Sequence, residues 1–251
     1  MPNPDNKKQT LPTSPSQLSP ADRLIVALDF PDARSAVSLA GVMGKAASTF
    51  KVGKELFTAE GPSVVKGLVA AGRHVFLDLK FHDIPATVSG AVASAARLGV
   101  KMLTVHTSGG RAMLEAAIRA SANSAESPII LAVTVLTSLK DSDLAETGVH
   151  GSVEEQAVRL ALLAQAAGCH GVVASPQEAA ALRKELGPDF LIITPGVRPA
   201  GDAAGDQSRV ATPAQAIAAG ASYIVVGRPI TASKDPAGAA RAIVAEIAGA
   251  L

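Results

Sequence analysis

The chain has 251 residues, of which 48% are hydrophobic and 18% charged, and its formal net charge is +1. Because it has no block of like charges and no apolar run near the roughly 18 residues of a membrane span, neither nucleic acid nor a bilayer is an expected partner. The single cysteine, Cys169, excludes an intramolecular disulfide and a multi-cysteine metal site.

The first twenty residues are rich in Pro, Ser and other polar residues. They lack the apolar core of a secretory signal and the Arg-rich amphipathic pattern of a transit peptide. A segment with so few apolar groups has little to bury. We therefore predict a disordered leader over residues 1–21, a catalytic domain over residues 22–251, and a cytoplasmic location.

From residue 24 onward, short apolar runs typical of strands alternate with Ala-rich segments typical of helices. The predicted strands are Leu24–Asp29, Phe50–Gly53, Val75–Lys80, Met102–His106, Ile129–Val135, Gly171–Ala174, Leu191–Pro195 and Tyr223–Gly227. Most begin about 25 residues apart, as expected for a strand, a crossover helix and two loops. This pattern predicts an α/β fold with a single domain, the (β/α)8 or TIM barrel, and leaves an open doubly wound sheet as the alternative.

Two of the predicted helices begin with explicit capping signals. Ser152 with Glu155, and Ser175 with Glu178, have the spacing of a capping box, in which each residue's side chain bonds the other's backbone amide. Pro176 would then occupy the first helical position after Ser175.

Polar residues collect at the carboxyl ends of the predicted strands, which is where a barrel carries its active site. They lie in or just after seven of the eight runs. Together with the adjacent Gly227, these residues are Asp29, Lys51, Asp78, Lys80, Asp83, His106, Thr134, Thr137, Ser138, Arg198, Gln207 and Arg228. Because all strands of a barrel end at one rim, we expect one polar site there.

The stretch DLKFHDIP, which begins at Asp78, concentrates charge directly after an apolar run. Asp78 and Lys80 are two residues apart in the predicted strand and should share a face. With Lys51 and Asp83 they would make two cations and two anions, and an alternating array of this kind keeps each member ionised. A purely structural salt-bridge network is the alternative, although it does not explain why the charges lie at the mouth.

The last two predicted strands are followed by a candidate phosphate site. Arg198 follows the first of them in PGVR, and Gly227 and Arg228 end the second in VGR. Barrels commonly hold phosphate at this place through backbone N–H groups and a guanidinium group. Glycine lets the backbone approach a ligand closely, which favours this reading of Arg228 over that of a surface charge.

Nine segments, in chain order, make the pattern more specific. They are IVALDF, FKVGKELF, GPSVV, FLDLKFHDIPATV, VHTSGG, LAVTVLTS, TPGVRP with GDQSRVATP, and IVVGRPIT. From about residue 24 to the C-terminus this order resembles the orotidine 5'-phosphate decarboxylases of the bacterial type. DxKxxD alone occurs in a wider group of phosphate-binding barrels, whereas its combination with PGVRP, DQ and VVGRP is far narrower.

The resemblance implies a decarboxylase that converts orotidine 5'-phosphate to uridine 5'-phosphate as a homodimer with shared active sites, without a metal or other cofactor. Lys80 would protonate the pyrimidine carbon after carbon dioxide leaves. Asp78 and Asp83 would flank it, with Asp83 supplied by the second subunit, and Lys51 would complete the charged tetrad.

The resemblance also implies a set of substrate contacts. Asp29 and Lys51 would bind the ribose, and Thr87 would reach it from the partner subunit. Ser138 would bind the amide edge of the pyrimidine, with Thr137 beside it. The phosphate would be bound by Arg198, Gln207, Gly227 and Arg228.

Other readings stay open at this level. A magnesium-dependent sugar-acid-phosphate decarboxylase or a pentose-phosphate epimerase would use the first acid of DxKxxD for a metal or for proton abstraction. A non-catalytic nucleotide-binding barrel would be expected to lose Lys80 or one of its aspartates. We interpret His106 as a hydrogen-bonded structural residue, and the resemblance gives His82 no chemical role.

Overall fold

The computed structural model describes residues 14–200 and 211–251, and its centre is a closed barrel of eight parallel strands. Each strand pairs with its neighbours in sequence, and the last strand pairs with the first through registers such as Ile25 with Val225. The closed (β/α)8 barrel predicted from the sequence is therefore confirmed, and the open doubly wound sheet is excluded by the pairing of the first strand with the last.

The strands begin close to the predicted positions and most end earlier. Their bounds are β1 Leu24–Ala27, β2 Thr49–Gly53, β3 His74–Phe81, β4 Met102–His106, β5 Ile129–Val133, β6 Gly171–Val173, β7 Leu191–Thr194 and β8 Tyr223–Val226. Asp29, Thr134 and Gly227 lie just beyond the last residues of their strands, in the loops at the rim, where a ligand can reach them. Gly53, Lys80 and His106 lie within β2, β3 and β4.

Helices cover the outside of the barrel. Within the described ranges they are α1 Ala33–Val42, α2 Lys54–Glu60, α3 Pro62–Ala70, α4 Pro85–Ala96, α5 Arg111–Ala122, α6 Asp141–Glu146, α7 Val153–Ala166, α8 Ala179–Leu186, α9 Pro213–Ala218, α10 Arg228–Thr231 and α11 Pro236–Ala248. None of these helices has the length and apolar character that a bilayer crossing requires.

One predicted cap is confirmed and one is wrong. Ser152 and Glu155 form the reciprocal capping box at the start of α7. Glu178 does accept a hydrogen bond from the Ser175 amide at 2.9 Å, but this bond closes a buried turn, and α8 begins only at residue 179. Pro176 lies in that turn and not in the helix. The same local spacing therefore stabilises a helix start in one place and a turn in the other.

The core has two layers, as the alternation of side chains along each strand requires. One layer fills the inside of the barrel with residues such as Phe76, Met102 and Leu191. The other lies between the strands and the helices and contains residues such as Leu77 and Leu103. Successive strand residues thus face opposite layers, and this alternation decides which side chains at the strand ends point into the mouth.

The amino ends of the strands are closed by the segment that precedes β1. A short 3-10 turn at Pro15–Gln17 places Leu18, which is 6% exposed, in the inner core layer. The guanidinium group of Arg23 donates to the carbonyl oxygens of Pro15 and Ser222. Residues 14–21, which the sequence analysis assigned to a disordered leader, are therefore folded against the barrel because one apolar side chain fits its end. Residues 1–13 of that leader lie outside the described residues.

Candidate active site

A cavity of about 480 Å3 opens at the carboxyl ends of the strands. Its inner wall is apolar, with Phe76, Val133 and Val173 from the inner core layer. Its polar lining comes from the rim and includes Asp29, Lys51, Asp78, Lys80, Thr137, Arg198, Gly227 and Arg228. A cavity with an apolar floor and a few convergent polar groups is the usual form of a small-molecule site.

The first charged pair in the cavity joins β1 to β2. Lys51 projects from β2, and its Nζ donates to Oδ1 of Asp29 at 2.8 Å. A Cβ atom at Gly53 would lie 3.1 Å from this Nζ and 3.2 Å from that Oδ1, so glycine leaves the space in which the two side chains meet. Asp29 is more than half exposed, which leaves its second oxygen open to a ligand.

The second charged pair lies on β3. The Lys80 ammonium group donates to both carboxylate oxygens of Asp78, at 2.8 Å each, and the two side chains are only 23% and 14% exposed. Both side chains are thus largely shielded from water at the cavity wall, and their pairing offsets the cost of removing each charge from water. The predicted contact between Asp78 and Lys80 is confirmed.

The backbone that brings Asp78 and Lys80 together is not a regular strand. The pairing of β3 with β4 runs from Leu77 with Leu103 directly to Phe81 with Val105, so the register shifts by two residues between these pairs. Lys80 has a φ of 53°, in the left-handed region that side chains other than glycine seldom adopt. Outliers of this kind concentrate at functional sites, where the surrounding structure holds them in place.

Thr104, which is not among the predicted site residues, contacts both members of this pair. Its hydroxyl accepts from the Lys80 amide at 2.8 Å and donates to Oδ1 of Asp78 at 3.0 Å. It is fully buried in the middle of β4, two residues before His106. A threonine among the apolar residues of a buried strand is the signal that could have identified it.

His106 ends β4 beside the second charged pair. Burial lowers its pKa to about 4, and the neighbouring His82, Lys80 and Lys54 act in the same direction. Its ring lies 5.4 Å from that of His82 at a tilted angle. His106 is therefore neutral at pH 7.

The rim after β7 and β8 carries the basic groups predicted to bind phosphate. Arg198 is 8% exposed, and its amide donates to the carbonyl oxygen of Ala211, which draws the chain after β7 against the start of α9. Gly227 caps the short helix α10, whose first residue is Arg228. Both arginines line the cavity. Gln207, the fourth predicted phosphate ligand, lies outside the described residues.

Three predicted site residues do not line the cavity of the single chain. Asp83 and Thr87 are exposed, on a row of six consecutive exposed residues at positions 82–87, and the Asp83 carboxylate accepts from the Ile84 amide. Ser138 is exposed in the turn after β5, next to Thr137, which does line the cavity. Of the four charged groups of the predicted tetrad, Asp78 and Lys80 pair with each other, Lys51 pairs instead with Asp29, and Asp83 lies outside the cavity.

The arrangement suits a small, anionic, phosphorylated ligand. Arg198 and Arg228 place two guanidinium groups on the wall of the cavity that also holds the Lys80 ammonium group. An ammonium group fixed by a carboxylate in a partly buried site can stabilise negative charge that develops beside it and can donate a proton.

Comparisons with known proteins agree with this geometry. Residues 22–243 match the model of the family described as "Orotidine 5'-phosphate decarboxylase / HUMPS family". A relative named orotidine 5'-phosphate decarboxylase from Halorhodospira halophila is 58% identical over 91% of this chain and 97% of its own length. One of the same name from Moorella thermoacetica is 55% identical over 90% and 92%.

A solved structure shows the same architecture. The crystal structure of orotidine 5'-phosphate decarboxylase from Lactobacillus acidophilus superimposes with a TM-score of 0.80 at 39% identity, over 89% of this chain and 98% of that one.

Proposed function

The chain belongs to the orotidine 5'-phosphate decarboxylase / HUMPS family, and on this premise we propose the roles of its residues in one reaction. It is a carboxy-lyase that converts orotidine 5'-phosphate to uridine 5'-phosphate in pyrimidine nucleotide synthesis. The proposal concerns which side chains bind the nucleotide, which supplies the proton, and how two subunits share a site.

The phosphate is assigned to the rim after β7 and β8. Arg198 and Arg228 supply the guanidinium groups there, and both line the cavity. Gly227 lets the backbone approach the phosphate closely, and Gln207 is assigned to the same group on the sequence resemblance alone. Charge-assisted hydrogen bonds to phosphate are among the stronger polar contacts, so this end supplies most of the binding energy.

The ribose is assigned to the neighbouring ends of β1 and β2, and the pyrimidine to the loop after β5. Asp29 and Lys51 already form a 2.8 Å ion pair at the cavity wall, and a ribose hydroxyl can bond to either partner. Thr137 lines the cavity beside the exposed Ser138, which is assigned to the amide edge of the pyrimidine.

The chemical step is assigned to Lys80. The bond between ring carbon C6 and the carboxylate carbon breaks, carbon dioxide leaves, and the bonding electron pair stays on C6. The Lys80 ammonium group stabilises that carbanion where it forms and then donates a proton to C6, which gives uridine 5'-phosphate. The neutral amine regains a proton from water before the next turnover.

Asp78 is assigned two roles. Its two oxygens hold the Lys80 ammonium group at 2.8 Å, which orients the proton donor, and its charge offsets that of the ammonium group. Its negative charge also lies near the substrate carboxylate, and the repulsion between them is relieved as carbon dioxide departs. Binding energy from the remote phosphate holds the substrate against that repulsion.

The second subunit of a homodimer is assigned Asp83 and Thr87. In the single chain both are exposed and outside the cavity, on a row that includes Ile84 with 65% of its surface exposed. A subunit docked there would bring its own Asp83 and Thr87 to the cavity of its partner.

The observation that carries the proposal is the Lys80 ammonium group held by both oxygens of Asp78 at the wall of a cavity that also contains two arginines. The test follows the absorbance of orotidine 5'-phosphate with purified protein in excess chelator, and product analysis should show uridine 5'-phosphate. Activity only after added magnesium, or none with this substrate, would contradict the metal-free reaction. The cytoplasmic location stays a prediction.

A further inference from the structure

Thr104 stands out in β4 because it is a polar residue with no exposed surface. Met102, two positions before it, belongs to the inner core layer, while Leu103 and Val105 belong to the outer one. Thr104 therefore faces the inside of the barrel. A hydroxyl group buried there must find hydrogen-bond partners, because an unpaired one is costly.

Both partners of Thr104 belong to the proposed catalytic pair. Its Oγ1 accepts from the backbone N–H of Lys80 at 2.8 Å and donates its hydrogen to Oδ1 of Asp78 at 3.0 Å. A hydroxyl group has one hydrogen to donate, so the bond to the carboxylate fixes its direction. Its χ1 angle is also restricted because threonine is β-branched. The hydroxyl is thus held in a defined place between the backbone of Lys80 and the side chain of Asp78.

The register shift explains why a side chain is needed at this point. Between the pairs Leu77 with Leu103 and Phe81 with Val105, β3 advances by four residues and β4 by two. In a regular parallel ladder the amide groups bond to backbone carbonyl oxygens of the next strand. The Lys80 amide donates to the Thr104 hydroxyl, which takes the place of a carbonyl oxygen where β3 departs from the ladder.

We propose that Thr104 is a positioning residue for the decarboxylation: its hydroxyl holds the left-handed backbone of Lys80 and orients the carboxylate of Asp78, so that the ammonium group is placed at the reacting carbon. Thr104 is not among the described residues that line the cavity. It therefore acts through the backbone of Lys80 and the side chain of Asp78. The proposal rests on the role assigned to Lys80 above.

Thr49 provides a matched comparison within the same barrel. It is also a buried threonine in a strand, at the start of β2, and it is 1% exposed. Its hydroxyl has no hydrogen-bond partner among the described residues. A change from threonine to valine removes the same hydroxyl at both positions while keeping the shape, but only at Thr104 does it remove contacts to the proposed catalytic pair.

The experiment compares Thr104→Val, Thr104→Ser and Thr49→Val with the wild-type protein and with Lys80→Ala. Thr104→Val should lower kcat by about 10- to 100-fold, the size expected when a reacting group is displaced by roughly 1 Å. Its KM and its affinity for uridine 5'-phosphate should stay within about threefold of wild type, because the phosphate contacts are intact. Thr104→Ser keeps the hydroxyl and should recover most of the rate, and Thr49→Val should match wild type.

A structure of Thr104→Val gives a readout independent of turnover. It should show a changed φ at Lys80 or a displaced ammonium group. If the valine variant does not fold, Thr104→Cys replaces it, since a thiol fills similar space and bonds weakly.

Three outcomes would overturn the proposal. These are a wild-type kcat in the valine or cysteine variant, an equal loss in the serine and valine variants, and an equal loss in Thr49→Val. If instead Lys80→Ala remains active, or the wild-type protein does not decarboxylate the substrate, then the proposed function fails and this inference fails with it.

Discussion

At the amino ends of the strands Arg23 donates to the main-chain oxygens of Pro15 and Ser222, and at the carboxyl ends Lys80 donates to the carboxylate of Asp78. Main-chain oxygens are fixed by the fold, whereas a carboxylate and an ammonium group on side chains can turn toward a ligand. Leu18 fills the first end, while the second holds a cavity of about 480 Å3. Polar groups of one barrel thus bind the main chain at one end and line an open cavity at the other.

The largest expected effect is the difference in kcat when the lysine is removed from each of two ion pairs of similar exposure, one at each end of the barrel. Lys80 and Asp78 are 23% and 14% exposed at the mouth, and Lys101 and Glu126 are 18% and 26% exposed at the amino end of β4. Lys80→Ala should lower kcat by at least about 10³-fold, since it removes both charge stabilisation and the proton donor. Lys101→Ala should leave kcat within about twofold. Steady-state kinetics on both variants, with circular dichroism as a folding control, checks this. Equal losses of kcat in the two variants would contradict the prediction.

If the cavity at the carboxyl ends of the strands contains Asp83 from a second subunit, two inactive variants should restore activity when they form a mixed dimer. Lys80→Ala and Asp83→Ala should each be inactive alone. In a randomly mixed dimer half the molecules are heterodimers, and one of their two sites carries neither change, so roughly a quarter of the sites should be active. Activity measured after subunit exchange checks this. If exchange is shown by mass spectrometry and no activity returns, Asp83 acts within its own chain.

The third prediction concerns the phosphate side of the mouth. Arg228→Ala should lower kcat/KM by about ten- to hundredfold, the value of one charge-assisted phosphate contact. Arg241→Ala on the exposed face of α11 removes only an exposed pair and should have little effect. Orotidine, which lacks the phosphate, should react slowly and at the same rate in both variants. If Arg228→Ala loses as much kcat/KM with orotidine as with orotidine 5'-phosphate, Arg228 does not act through the phosphate.

The fourth prediction tests the closed end. Leu18→Ala should lower the free energy of unfolding by about 2–3 kcal/mol, because it removes a buried side chain from the inner core layer. The melting temperature should fall by roughly 5–10 °C while kcat stays unchanged. Leu162→Ala on α7 is the control, since that side chain is 41% exposed and should matter little. A large loss of kcat in Leu18→Ala at a temperature where it is folded would show that the two ends are coupled.

The smallest effect expected is a loss of stability in acid at the closed end. Burial lowers the pKa of His74 and of His170, and the latter accepts a hydrogen bond from the Ile130 amide on its neutral Nδ1. Because the folded pKa lies below the unfolded value near 6.5, this stability is complete above about pH 6.5 and is lost as the pH falls through the lowered values.

His170→Asn keeps an acceptor that does not titrate. Melting curves at pH 7.5 and 5.0 should therefore show a smaller acid effect in this variant than in the wild-type protein. An identical acid effect would mean that other groups cause it.

Much of the barrel follows from local pattern in the sequence. Runs such as Met102–His106 and Leu191–Pro195 identify strands because burial on both faces selects continuous apolar residues, and the spacing between runs leaves room for one helix. The placement of Asp29, Lys51, Lys80 and Arg228 at one rim follows from parallel strands. The sequence by itself therefore determined the fold and the end of the barrel that carries the site.

Tertiary structure decided how those residues pair. Lys51 bonds to Asp29 because β1 and β2 are neighbours in the closed barrel and Gly53 leaves room between their side chains. Thr104 meets the amide of Lys80 because β3 shifts register against β4. Leu18 folds against the barrel because the closed strands leave an apolar end that it fills. Each outcome depends on residues distant in sequence, and a periodic pattern carries information only about near neighbours along the chain.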